Sequence, residues 1–178
     1  SYWWIWRREV YNIMTATYAA LADPVTAVVD LLNNNWSEVA SGVTNNLVSA
    51  GGTLKIDESW DLGKYNLKNN DIIRCYETSG GHEMLGIGHG VDRHRASIAI
   101  DISTSVSRDR LRRLYTGVVH LIHAARSNSL AAAPFSSHAS TSDYASIVLT
   151  SRTDQSDRNR RWYRYVLNCD ITSYEVVN

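Results

Sequence analysis

Residues 96–104, Ala96-Ser97-Ile98-Ala99-Ile100-Asp101-Ile102-Ser103-Thr104, decide how the chain is read. Ile98, Ile100 and Ile102 point one way, and Ser97, Ala99, Asp101 and Ser103 point the other. Alternation with period two marks a β-strand with one face on a core. The strand leads directly into a helix signal. Ser107 can cap the free N–H groups of a first turn. Leu111, Leu114, Tyr115, Val118, Ile122 and Ala125 then recur at helical spacing to about Ser127, with Arg108, Arg112, Thr116 and His120 near the opposite side and His123 close by.

Working back toward the N-terminus, 79–94 is rich in glycine (Gly80, Gly81, Gly86, Gly88, Gly90) and reads as an exposed hairpin tip or long mobile loop. Asp71–Thr78 predicts a strand in which Ile72, Arg74 and Tyr76 oppose Ile73, Cys75 and Glu77. Residues 59–70 read as a polar loop anchored by Trp60, Thr53–Asp57 as a short strand and 49–52 as a turn. A first helix opens at Asp23-Pro24, where Asp23 caps and Pro24 loses no hydrogen bond at the first helical position. Val25, Val28, Val29, Leu32, Trp36 and Val39 give it one apolar face, and Gly42 is its expected stop.

Toward the C-terminus, 130–142 is an Ala/Ser-rich loop with Pro134, and Tyr144–Thr150 is a strand. Arg152–Arg161 is a polar connection, and Trp162–Val177 is a long strand or bent pair. The last two strands are expected to form a hairpin. The order α-β-β-β-α-β-β predicts an α+β fold: a two-layer sandwich of a mainly antiparallel sheet with two amphipathic helices. One domain is expected over 23–178, preceded by an aromatic extension or arm at 1–22. Met14 offers an internal start. Trp3, Trp4 and Trp6 in that arm suit either anchoring on a neighbouring subunit or covering the chain's own core.

Composition narrows function. The 178 residues carry 18 basic and 18 acidic side chains, so the formal net charge is zero. That argues against a protein whose main task is gripping phosphates, and gives no reason to sit on an anionic membrane. The cations are nearly all arginine, which suits forked interface contacts or reflects genomic base composition. No apolar run is long enough to span a membrane, and the segment before Ala20-Leu21-Ala22 is too polar for a secretory signal. Cys75 and Cys169 read as buried free thiols.

The catalytic motifs fail on spacing. His82, Glu83, His89, Asp92 and His94 are the one cluster of metal-type ligands, but His82 and His89 stand seven apart in a glycine-rich segment, so solvated loop histidines are expected. Gly86-Ile87-Gly88-His89-Gly90 resembles a phosphate loop, yet position 91 is Val. Gly63-Lys64 is followed by Tyr65, and no G-x-S-x-G elbow occurs. No enzyme, cofactor or metal is expected.

Two charged groups stand out. Arg108, Arg110, Arg112 and Arg113 load a helix N-terminus, where cations are disfavoured by the dipole and Asp109 offsets only part of the repulsion. They call for acidic groups on a neighbour, for phosphate, or for internal pairing with Asp101, Asp154 or Asp157. Asp154, Asp157, Arg158, Arg160 and Arg161 form a mixed-charge loop, either solvated or suited to charge pairing between like subunits.

The pattern resembles the tail-terminator and tail-completion proteins of long-tailed viruses, especially those of archaeal tailed viruses. Four stretches carry the resemblance: Asp23–Val28 opening a helix that reaches Asn35-Trp36, Asp71–Tyr76 as an edge-like strand, Ser97–Thr104 leading through Ser107-Arg108 into the long helix, and Ser156-Asp157 through Trp162–Leu167. They span 23–177; the arm at 1–22 and the Gly-rich segment depart from the compact pattern. The resemblance implies a virion protein, assembled in the host cytoplasm, forming a ring, often sixfold, at the head–tail junction. Its implied partners are further copies of itself, the tail tube protein and a neck or connector protein, with viral DNA passing through the lumen without sequence-specific binding. The alternatives are another neck protein of the same fold, a nucleic-acid-binding module using Arg108–Arg113 and the Trp-rich N-terminus, or an enzyme holding a metal in the 82–94 loop.

Overall fold

The computed structural model describes residues 23–43, 53–58, 67–68, 70–85, 91–126 and 144–176. Their order is α1 (Pro24–Val43), β1 (Thr53–Asp57), β2 (Asn70–Met84), β3 (Val91–Thr104), α2 (Arg108–Arg126), β4 (Tyr144–Asp154) and β5 (Tyr163–Val176). The five strands form one open sheet in the order β1-β2-β3-β5-β4. Every pair is antiparallel except β1–β2. Both helices lie on one face, α1 over β1, β2 and β3, and α2 over β3, β5 and β4. The expected α+β two-layer sandwich is the observed one.

The helices begin where the sequence places them. The Val25 N–H donates to Asp23 Oδ1 at 2.9 Å, and the Arg110 N–H donates to Ser107 Oγ at 3.0 Å. Each bond satisfies one of the donors a helix start leaves free. The core joins Val28, Leu32 and Trp36 of α1 with Leu111, Leu114, Val118 and Ile122 of α2 and with Ile98, Ile100 and Ile102 of β3. Each fully buried Leu or Ile contributes about 1.5–3 kcal/mol relative to exposure. The helices meet closely at Gly117, where an added Cβ would lie 2.8 Å from Val39 Cγ1 and 3.2 Å from Trp36 Cη2.

Of the two readings of 79–94, the described residues show the exposed hairpin: β2 continues to Met84, β3 starts at Val91, and Gly80, Gly81 and His82 pair with Ala96, Arg95 and His94. The ladder overrides the weak strand propensity of the glycines, and a shift between Glu77 and Ser79 absorbs the register change. Two expectations are corrected. Asp71–Arg74 is not an edge, because β1 pairs there, whereas from Cys75 to Met84 the outer side of β2 has no paired strand among those described; the outermost strands are β1 and β4. Finally, β4 runs on through Arg152 to Asp154, so the polar connection shrinks to a tight turn. Asp157 and Trp162 close that turn by exchanging backbone bonds of 2.7 and 2.9 Å.

The strands outrun the helices. At about 3.3 Å per residue β2 spans roughly 50 Å, whereas α1 at about 1.5 Å per residue spans roughly 30 Å. The far end of the β2–β3 hairpin, with β5 paired along β3 as far as Val91, therefore projects as an arm, and the described residues from Glu77 to Leu85 are exposed.

Candidate functional site

The end of the sheet where α2 begins is tied down by buried charge. Arg110, 5% exposed, donates from Nε to Asp71 Oδ2 at 2.8 Å, with Nη2 of the same guanidinium 2.6 Å from that oxygen. Asp71 Oδ1 accepts from Thr104 Oγ1 at 2.6 Å, and Thr104 Oγ1 in turn accepts from the Val106 N–H at 3.2 Å. This network links β2, the last residue of β3 and the first turn of α2. On the opposite face, Asp101 receives both Nε and Nη2 of Arg164, at 2.9 and 2.8 Å, and is itself 2% exposed. That hydrogen-bonded pairing holds the Arg164 guanidinium above its ordinary range.

A second shift in pairing, between Leu149 and Ser151, decides which face the end of β4 presents. Beyond it Arg152 and Asp154 stand opposite Leu167 and Tyr165, on the helix side. The Arg152 guanidinium lies 5.0 Å from the ring centres of both Tyr115 and Tyr165, which meet edge to face at 5.6 Å. Asp154 comes within 3.8 Å of Arg108. Arg108, Asp154, Ser156, Arg158 and Tyr163 line a cleft of about 260 Å³.

The turn beyond that cleft is shaped by its own aspartates. Asp157 Oδ1 accepts from the Asn159 and Arg160 N–H groups at 3.0 and 3.3 Å, and Arg160 Nε lies 3.6 Å from Asp157 Oδ2. Asp154 Oδ1 accepts from the Ser156 N–H at 3.0 Å. Hydrogen bonds from Ser156 hold the Asp154 carboxyl below its ordinary 3.8. Arg161 closes the turn with φ of 50°, a conformation L-residues other than Asn and Asp rarely adopt.

The structure thus brings most of the sequence-predicted residues to one corner. Arg108 and Arg158 share the cleft, Asp154 sits between them, and Asp157, Arg160 and Arg161 form the adjoining turn. Arg112 is exposed on α2, and Arg113 pairs with Asp109 at 2.8 Å one turn away. Of the internal partners expected for the helix arginines, Asp154 meets Arg108, while Asp101 is taken by Arg164 and Asp157 by Arg160. Trp3, Trp4 and Trp6 lie outside the described residues.

His82 and His94 are on strands, not on a loop. His82 and His94 are directly opposed on β2 and β3, with ring centres 6.2 Å apart. They line a cleft of about 290 Å³ between the overhanging sheet and Pro24 at the start of α1. Glu83 pairs with Arg93 across the same arm. His89 lies outside the described residues. The two cysteines are free and buried. They flank β3 at two strand spacings, about 10 Å, beyond disulfide reach. Burial pushes Cys75 well up and Cys169 up to about 12.

Sequence reasoning missed Arg110–Asp71, Arg152 and the apolar pair on the arm, Met84 at 69% and Leu85 at 47% exposed. The signal for the first was present: one of four clustered arginines falls on the apolar side of α2, beside Leu111 and Leu114. Among the described residues no helix is long and apolar enough to cross a membrane.

No protein-family model matches the chain, and no curated protein matches it in sequence. Solved structures that match include a chain from the virion of a native gene transfer agent (GTA) particle. It is 9% identical, with a TM-score of 0.49, over 85% of this chain and 95% of that one.

Proposed function

We propose that the chain is a non-enzymatic virion subunit that binds further copies of itself, forming a ring at the head–tail junction that completes the tail tube and joins it to the neck. The observation that carries the assembly part of this reading is the β2–β3 arm. β3 is flanked by β5 over its whole length, but from Cys75 onward the outer side of β2 has no paired strand among those described. A sheet edge of this kind that runs to exposed Met84 and Leu85 suits a surface completed by another chain. The ring and its seat rest on the sequence resemblance over 23–177, which implies a hexamer, contacts to a tail tube protein and a neck or connector protein, and passage of DNA without sequence-specific binding. No cofactor has a part in this role, and the mechanism is geometric: heterologous contacts close when the rotation between copies allows it.

Native mass spectrometry and electron microscopy of the purified chain test the reading. The expected result is a closed oligomer, and Met84→Ser with Leu85→Ser is expected to shift it toward monomer. A chain that stays monomeric at every concentration, alone and with tail tubes, overturns it.

A further inference from the structure

Among the described residues the two lateral edges of the sheet carry opposite charge. On the β4 side, the start of α2 and the β4–β5 turn present Arg108, Arg112, Arg113, Arg158, Arg160 and Arg161 against Asp109, Asp154 and Asp157. On the β1 side, α1 with its cap and β1 with the residue after it carry Asp23, Asp30, Glu38, Asp57 and Glu58 against Lys55, with Lys68 just before β2, among the described residues. Helix α1 contains no basic residue at all. The chain balances 18 basic with 18 acidic side chains, so this is a separation of charge within a neutral molecule. β1 and β4 are the outermost strands, with three strands between them.

We infer that the basic corner at the β4 edge docks on the acidic α1/β1 edge of a second copy of this chain. The inference rests on the assembly reading above and names the contact that would build it. Opposite patches on opposite edges give a heterologous contact, in which each copy offers one edge and receives the other. Charge complementarity of this kind fixes register and speeds encounter. The corner also favours protein over nucleic acid as its partner. Three aspartates stand among its arginines, and two of them shape the turn through Ser156, Asn159 and Arg160 N–H groups. Fixed carboxylates there would repel a run of phosphates, whereas a protein surface can meet both signs.

The test uses the full chain. Arg158→Glu with Arg160→Glu reverses the corner, and Glu38→Arg with Glu58→Arg reverses the other edge. Sedimentation is expected to show each pair weakening self-association at least about tenfold. A chain carrying all four changes is expected to recover association, because complementarity is restored with its sense exchanged. Circular dichroism checks that each variant folds. Wild-type oligomers are also expected to loosen as salt rises to about 1 M, a measurement that needs no variant. Oligomers indifferent to salt and to both reversals overturn the inference and leave the assembly reading intact. A chain monomeric under all conditions overturns both. Loss of binding to a DNA duplex by the Arg158→Glu, Arg160→Glu protein, with self-association unchanged, overturns the inference in favour of a phosphate partner.

Discussion

The two ends of the sheet are made from the same strands and held in different ways. Where α2 begins, β2, β3, β4 and β5 are fastened by Arg110–Asp71–Thr104 inside, by Arg164–Asp101 outside, and by a turn closed between Asp157 and Trp162. At the arm, β2 and β3 run on past the helix layer with Gly80 and Gly81 in the ladder and Met84 and Leu85 exposed. Buried, mutually satisfied polar groups fix geometry, because removing one strands the other. The arm is held by the ladders of β2 with β3 and of β3 with β5, and by the Glu83–Arg93 pair across it. The chain therefore has a corner that presents charge and an arm that presents apolar surface.

The largest expected effect is at the fastened end. Asp71→Ala leaves the Arg110 guanidinium buried without its carboxylate, and denaturant unfolding is expected to show a loss of about 3–5 kcal/mol. Replacing the pair together, Asp71→Leu with Arg110→Met, should recover much of it. A single-variant loss below about 1 kcal/mol would mean that this end is not held by its charge. Next is Arg161→Gly. Its φ of 50° favours glycine, so the same measurement should show a gain of about 0.5–1 kcal/mol.

At the arm, Met84→Ser with Leu85→Ser should change stability by no more than about 0.5 kcal/mol, while self-association falls. A large stability loss there would erase the contrast between the two ends.

The smallest effect is in titration. The folded Asp154 pKa lies below 3.8, so its stabilisation is fully present above the unfolded value and disappears as pH falls through the folded one. NMR should place its midpoint under 3.8, and Ser156→Ala should move it back up, since hydrogen bonds from Ser156 are the leading cause.

Elements set by local signals were legible in the sequence. The Ile98–Ile102 alternation, the Asp23 and Ser107 caps and the apolar face of α1 each depend on residues within a few positions of one another. The parallel placement of β1 beside β2 was not legible, nor was the partner of Arg110, which lies 39 residues away. Residues 79–94 left a hairpin tip and a loop both open because glycine is a weak strand former; pairing with β3, itself flanked by β5, decides for the hairpin. The cluster at 108–113 was read as one surface group. In the structure it divides: Arg110 turns inward to Asp71, while Arg108 and Arg112 stay outside.

The Asp71–Thr104–Arg110 network also bears on how the chain folds. Asp71 and Thr104 sit one step beyond the Ile72–Ser103 pair, so they share the helix face only in the native alignment of β2 with β3. Slipping that hairpin by one residue would turn the carboxylate to the other side of the sheet. Arg110 would then descend onto a surface with no acid to receive it. A hairpin slipped by one residue thus strands the Arg110 guanidinium as loss of the carboxylate would, so the seated helix favours the native register of the strands beneath it.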